Sequence, residues 1–153
     1  MILFKLIRVK SWVKNGFLII PLIFSLNLFE EGLLLTEIIG FFSFSFCCSF
    51  IYILNDIVDI NADLLHPRKK LRPLPSGRIS KTNAQIIGFV LLSIGLTSSF
   101  YLSQDFFIVF SAYVLLNICY SFVLKEINIL EFLIVAINFV LRVLAGCFLI
   151  NVE

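Results

Sequence analysis

The sequence predicts an all-α fold: a polytopic membrane helical bundle of about five transmembrane helices, with its N-terminus in the cytoplasm. Three observations lead there. Of its 153 residues 60% are hydrophobic, with 18 Phe, and the mean hydropathy is +1.05. A soluble domain of this size has no use for so much apolar surface, whereas a chain solvated by lipid does. The apolar residues fall into runs of spanning length separated by short polar breaks, and about 20 apolar residues cross a bilayer as a helix. Lys and Arg, finally, alternate from one break to the next, the signature of membrane orientation.

Met1 to Val13 mixes apolar residues with Lys5, Arg8 and Lys10, and Trp12 precedes Lys14. This suits an interfacial segment with Trp at headgroup level. It lacks a small-residue cleavage site, so it does not read as a cleavable signal peptide. Asn15 to Phe29 is expected as the first span, although it is short and contains Pro21; Glu30, Glu31 and Gly32 end it. Leu33 to Ile57 is the second, with no charge between Glu37 and Asp56. A polar loop, Leu64 to Ser80, follows. Asn83 to Leu102 is the third span, with Gly88 and Gly95 on one face as a close-packing surface. Phe106 to Leu124 is the fourth, reached through a turn at Ser103 to Asp105, and Ile129 to Ile150 the fifth, reached through a turn at Lys125 to Asn128.

The basic residues test this map. Lys5, Arg8, Lys10 and Lys14 precede the first span; Arg68, Lys69, Lys70, Arg72, Arg78 and Lys81 lie between the second and third; Lys125 lies between the fourth and fifth. The intervening breaks have none. The positive-inside rule then places the N-terminus and the 56–81 stretch in the cytoplasm and Glu153 outside.

Other classes are disfavoured. A formal net charge of +2 does not suggest nucleic acid. Cys47, Cys48, Cys119 and Cys147 have no C-x-x-C spacing and His66 is the single histidine, so a zinc site is not expected. The cysteines read as small packing residues with inert thiols.

The chemistry concentrates between Tyr52 and Ser80. Asp56, Asp59 and Asp63 are three and four residues apart; on a helix at about 100° per residue they fall within roughly 60° of one another, and Tyr52 joins that face. Three like charges on one face repel. A hard divalent cation that shares carboxylate and phosphate oxygens would make the arrangement favourable. The plainer alternative is a solvated helix end at the membrane surface. Arg68, Lys69, Lys70, Arg72, Arg78 and Lys81 follow at once, interrupted by Pro67, Pro73, Pro75 and Gly77, which makes this a loop. Arg offers phosphate a bidentate fork and Lys a point charge. A purely topological role for these cations is compatible with binding. An acidic face beside a basic loop is what a Mg²⁺-diphosphate site needs.

Inside the spans, Glu131, Asn138 and Arg142 share a helix face, as do Tyr113, Asn117 and Tyr120. Charges within a span are costly and usually functional. Tyr52, Asn117, Tyr120, Asn138 and Arg142 are therefore candidates to line a central cavity, with helix-to-helix hydrogen bonding as the structural alternative. Asn55 is placed to orient a metal-bound phosphate or Asp59. Composition alone makes Trp12 and Lys14 an interfacial anchor.

The residues also carry a resemblance. N-D-x-x-D-x-x-x-D at Asn55 to Asp63, followed by H-P-x-K-x-x-R-P-L-P-S-G at His66 to Gly77, resembles the first aspartate-rich motif and following loop of the UbiA-type intramembrane prenyltransferase family. R-V-K-S-W-V-K-N at Arg8 to Asn15, the His66-Pro67 pair, Y-S-x-x-L-K at Tyr120 to Lys125 and F-V-L-R-V-L-A-G at Phe139 to Gly146 resemble its decaprenyl-phosphate phosphoribosyltransferase branch. The resemblance covers about the first half of a family member, so residues 1–153 are expected as the N-terminal part of such a membrane domain, without its second acidic motif.

The resemblance implies a Mg²⁺-dependent transferase with Asp56, Asp59 and Asp63 as catalytic metal ligands. It implies that Lys14 lies close to the phosphates and that His66 contacts substrate, beside Asn55 and the candidate clamps Arg68, Lys69, Lys70 and Arg72. In the branch, 5-phosphoribosyl passes from phosphoribosyl diphosphate to a polyprenyl phosphate. Two alternatives stand beside it. One is a prenyltransferase in which a polyprenyl diphosphate alkylates an aromatic acceptor. The other is a truncated or split, non-catalytic fragment that works with a second half-chain or as a homo-oligomer.

Overall fold

The computed structural model describes residues 2–26, 30–122 and 128–150, the side chains of Asn128 and Ile129 excepted. Among the described residues every regular element is helical. The chain opens with α1 (Ile2–Leu6), a 3₁₀ segment (Val9–Leu18) and α2 (Ile20–Phe24). Then come α3 (Leu33–Val58), α4 (Ile60–Leu65), α5 (Lys81–Leu102), α6 (Gln104–Phe122) and α7 (Asn128–Leu149). Among the described residues four helices are long and apolar enough to cross a membrane: α3, α5, α6 and, from Leu130, α7. Lys125 and Glu153, with the turn expected before Asn128 and the outward end of the chain, lie outside the described residues, as do the last residues of the first and fourth expected spans.

The first expected span takes another form. Its described part is not one continuous α-helix. It winds as a 3₁₀ helix to Leu18 and restarts as α2, with Pro21 in the first turn, where proline's missing N–H and fixed φ are tolerated. This broken segment packs against α3 and α7.

Small residues let the helices approach. The most extensive helix contact joins α3 and α5, along the Gly88 and Gly95 face. A Cβ at Gly95 would stand 3.0 Å from the Ser43 carbonyl oxygen and 3.2 Å from the Phe110 ring. Gly146 of α7 lies directly under the Leu18 carbonyl, with no room for a Cβ. The core of α3 and α6 is aromatic: Phe44 meets Phe110 at 5.3 Å and Tyr113 at 4.7 Å between ring centroids. Outward, Ile86, Phe89 and Phe100 on α5 and Phe132, Val140 and Leu144 on α7 are exposed, a surface suited to acyl chains and not to water.

A second, smaller cluster fixes the other end of the bundle. Leu6 of α1, Ile53 of α3, Leu74 of the polar loop and Ala84 of α5 are buried together. Leu74 thus pins the basic loop to the bundle, and Leu6 brings the N-terminal segment to the same place. Ser80 caps α5 by accepting a hydrogen bond from the Asn83 amide at 3.2 Å.

The Gly95 seam makes a direct prediction. Gly95→Val should lower stability in detergent by about 1–3 kcal/mol, because backbone and an aromatic ring must give way. Gly16→Ala should be near neutral, since a Cβ there meets nothing within 4 Å. Thermal unfolding followed by size-exclusion chromatography should separate the two; equal midpoints would contradict the packing.

Candidate functional site

Asp56 and Asp63 are 2% and 1% exposed. A buried carboxylate is expensive unless paired, and the chain pairs both. Arg72 Nη1 donates to Asp63 Oδ2 at 2.6 Å and to Asp56 Oδ1 at 3.2 Å. Arg8 Nη2 donates to the same Asp56 Oδ1, and its guanidinium lies 4.7 Å from the centroid of the Tyr52 ring. Lys69 Nζ stands 3.8 Å from Asp63 Oδ1. Three separate pieces of chain, the N-terminal segment, the end of α3 with α4, and the basic loop, thus meet on two carboxylates.

The aspartates are not on one unbroken helix, as the spacing suggested. α3 ends at Val58, Asp59 leaves the helical region at φ −91°, ψ 6°, and α4 begins at Ile60. The break leaves Asp59 half-buried between the other two. Among the described residues no three His, Cys, Asp or Glu side chains gather closely enough to enclose a metal ion. The two that do converge, Asp56 and Asp63, share one guanidinium nitrogen, so a cationic atom already stands between their oxygens. That donor set fits Mg²⁺, which is commonly held by one or two carboxylates together with substrate phosphate oxygens.

The loop residues divide. Arg72 is committed to the carboxylates, while Arg68, Lys69 and Lys70 are exposed along the rim. His66 serves the loop itself: its Nδ1 accepts from the backbone amides of Arg68 and Lys69, both at 3.2 Å. That contact fixes the turn that presents the basic side chains.

Beside the carboxylates, α3, α6, α7 and the 3₁₀ segment enclose a cavity of about 170 Å³. Tyr52, Asn117, Tyr120, Asn138 and Arg142 all line it, together with Lys14 and Asn55. Helical spacing alone had grouped these residues; the fold brings the groups together. Asn55 adjoins Asp56 in sequence, so the cavity's lining reaches the acidic end of α3. At its far end Arg142, 6% exposed, donates from Nε to Asn15 Oδ1 at 2.9 Å, from Nη1 to the Asn138 carbonyl at 2.7 Å and from Nη2 to the Tyr113 hydroxyl at 2.9 Å. Asn117 and Asn138 exchange hydrogen bonds between α6 and α7 at 2.8 and 3.0 Å. The structural alternative for these polar residues therefore holds alongside the cavity.

Sequence reasoning missed three contributors. Arg8 was read as interfacial; its partner lies 48 residues away. Its left-handed backbone, φ 50° and ψ 49°, is uncommon for a non-glycine residue and costs on the order of 1–3 kcal/mol. The need of a buried Asp56 for a counter-charge was the signal available. Asn15, expected only to open the first span and to close a motif, is fully buried and accepts from Arg142. Cys48 was read as packing, yet it lines the cavity and lies 3.8 Å from Arg142 Nη2.

Comparison with known proteins follows from this geometry. The family model described as "UbiA prenyltransferase family" matches residues 18–153. A decaprenyl-phosphate phosphoribosyltransferase of Corynebacterium glutamicum is 32% identical, over 93% of this chain and 44% of the relative. A solved structure of a digeranylgeranylglyceryl phosphate synthase superposes with a TM-score of 0.84 at 27% identity, covering 97% of this chain and 54% of that one. The solved structure of a UbiA homologue from Archaeoglobus fulgidus, bound to DMAPP and Mg²⁺, superposes with a TM-score of 0.83 at 21% identity, covering 100% of this chain and 56% of that one. The chain spans about half the length, or less, of the curated relatives it matches.

The carboxylate network predicts an ordering of loop variants. Arg72→Gln leaves two buried carboxylates facing each other and should destabilise the protein by about 2–4 kcal/mol. Arg68→Gln, on the exposed rim, should cost under about 0.5 kcal/mol. Denaturant midpoints in detergent read the difference; equal effects would remove Arg72 from its bridging role.

Proposed function

Because the chain belongs to the UbiA prenyltransferase family, we propose that it is an integral membrane transferase moving 5-phosphoribosyl from phosphoribosyl diphosphate to a polyprenyl phosphate. The observation that carries this reading is the meeting of Asp56 and Asp63 on one cationic nitrogen beneath a rim of Arg68, Lys69 and Lys70. Carboxylate oxygens beside cations that can bind phosphate, at the end of α3 that the cavity's lining reaches, support a metal-diphosphate site. The decaprenyl-phosphate phosphoribosyltransferases among the relatives support the substrate pair.

Asp56 and Asp63, with Asp59 at the helix break, would hold Mg²⁺. The ion so held supplies neutralising charge to a diphosphate that accumulates negative charge as it departs. The chain's own residues do the rest. Arg68, Lys69 and Lys70 bind the diphosphate oxygens, and Asn55 orients them from the cavity side. The surrounding apolar helices exclude water, which favours transfer over hydrolysis. An oxygen of the lipid phosphate forms a bond to the anomeric carbon as the bond from that carbon to the diphosphate breaks, and diphosphate leaves with its electron pair. Asp56, Asp59 and Asp63 are the residues on which activity depends most steeply.

A second reading has an observation of its own. The likeness to a digeranylgeranylglyceryl phosphate synthase favours a prenyl diphosphate as donor, held at the same carboxylates. Membranes containing the chain, supplied with Mg²⁺, polyprenyl phosphate and radiolabelled phosphoribosyl diphosphate, decide between them. Label should enter the lipid phase, disappear on chelation by EDTA, and fall by at least about 10²-fold in Asp59→Asn. Label entering only from a prenyl diphosphate would favour the second reading. Label from neither, regained when the remaining length of a relative is supplied as a second chain, would make this chain one half of a two-part enzyme.

The basic residues around 5–14 and 68–81 support a cytoplasmic site. In a cysteine-free background, Ser76→Cys should react with an impermeant maleimide only from the cytoplasmic side and Gln104→Cys only from the opposite side. The reverse pattern would invert the topology.

A further inference from the structure

The cavity carries charge that the diphosphate site does not use. Lys14 and Arg142 both line it, and among the described residues no carboxylate does. Every acceptor that the structure gives the buried Arg142 guanidinium is neutral: an Asn15 amide oxygen, a backbone carbonyl, the Tyr113 hydroxyl and the Cys48 sulfur. A buried cation without a counter-ion is unfavourable. The aromatic faces of Tyr113 at 5.0 Å and Phe139 at 5.6 Å offset only part of that cost. An arginine held by neutral groups on four sides, with an open cavity beside it, is preorganised for an anion.

Position narrows the anion. Arg142 touches Cys48, while the carboxylate site begins at Asp56, eight residues further along α3; at 1.5 Å per residue the two charge centres are separated by roughly 12 Å along the helix. One diphosphate cannot reach from one to the other. A molecule carrying a diphosphate at one end and a second phosphate at the other can. The wall between them is mixed: Asn55, Tyr52, Asn117 and Tyr120 bring polar groups to it, beside Ile51, Ile134, Val135 and Phe139. The amides and hydroxyls among them can hydrogen-bond sugar hydroxyls, which an isoprenyl chain would leave without partners.

We propose that Arg142 and Lys14 hold a phosphate monoester at the inner end of the cavity, the 5-phosphate of the sugar diphosphate whose other end sits at the carboxylates. This rests on the phosphoribosyl reading above and gives it a specificity determinant: the diphosphate site accepts any diphosphate, and the cavity selects the one bearing a second phosphate. A lipid phosphate carries the same chemical group, so the experiment separates the two sources.

The test is competition binding on the full chain in detergent with Mg²⁺, using radiolabelled phosphoribosyl diphosphate and unlabelled inorganic diphosphate, ribose 5-phosphate and farnesyl phosphate. Arg142→Gln and, independently, Lys14→Gln should weaken phosphoribosyl diphosphate and ribose 5-phosphate by about tenfold or more, the loss of one charged hydrogen-bonding partner. Both should leave inorganic diphosphate unchanged, which a merely misfolded variant would not. Lys14 is exposed, so its replacement tests the site even where the Arg142 variant does not fold. Asp56→Asn should do the reverse, losing inorganic diphosphate while retaining ribose 5-phosphate. Ribose 5-phosphate binding indifferent to both cations would overturn the proposal, as would parallel loss of inorganic diphosphate. Farnesyl phosphate that depends on Arg142 where ribose 5-phosphate does not would assign the site to a lipid phosphate and overturn the sugar assignment. Failure of wild-type chain to bind inorganic diphosphate, with Arg142-dependent ribose 5-phosphate binding intact, would instead strike the function proposed above and leave this site standing.

Discussion

Two carboxylates buried at the end of a membrane helix must be neutralised, and the rest of the structure depends on how this is done. Asp56 and Asp63 draw in Arg72 from the loop that follows them and Arg8 from the start of the chain. Arg72 follows Asp63 by nine residues, but Arg8 lies 48 residues from Asp56. The network therefore ties together segments that hydrophobic burial alone would leave free to slide. Leu6 and Leu74 reinforce it by burying on the same cluster beside Ile53, and the strained backbone at Arg8 is held in place by both.

The same physics operates twice in the molecule, with opposite results. At the carboxylates, charge is matched by charge, and the compensating cations come from the N-terminal segment and the basic loop. At Arg142, charge is matched by dipoles on rigid helices and the 3₁₀ segment. Partly exposed arginines around acidic groups suit a site that a metal ion and phosphate enter from outside. A fixed guanidinium among neutral acceptors suits an anion that arrives from outside. The cavity reaches from one towards the other, and the amides and hydroxyls on its wall matter more than its size.

Much of the fold was legible because lipid exposure imposes simple rules. The runs that became α3, α5, α6 and α7 are nearly uncharged, and the Gly88 and Gly95 face marked a helix seam before any partner for it was known. The cavity residues Tyr52, Asn117, Tyr120, Asn138 and Arg142 were legible for a related reason: polar groups in a span face inward, and helical spacing shows which share a face. What spacing cannot convey is which faces meet. Arg8 with Asp56, and Asn15 with Arg142, are contacts 48 and 127 residues apart, and nothing in the local pattern encodes them. The interruption at Asp59 was equally hidden, since Asn55 to Asp63 contains neither Gly nor Pro to announce it. The winding of residues 9–18 as 3₁₀ helix, ahead of Pro21, turned an expected continuous span into a broken one.

The central claim is that charge compensation across the chain builds the site, and a double-mutant cycle on Arg8 and Asp56 tests it most directly. Stability in detergent would be measured for Arg8→Gln, Asp56→Asn and the pair together. The account predicts a coupling of about 1–3 kcal/mol, with the double variant clearly more stable than the two single losses added. Additive losses would mean that the two side chains do not depend on each other, and that the N-terminal segment is placed by hydrophobic packing alone.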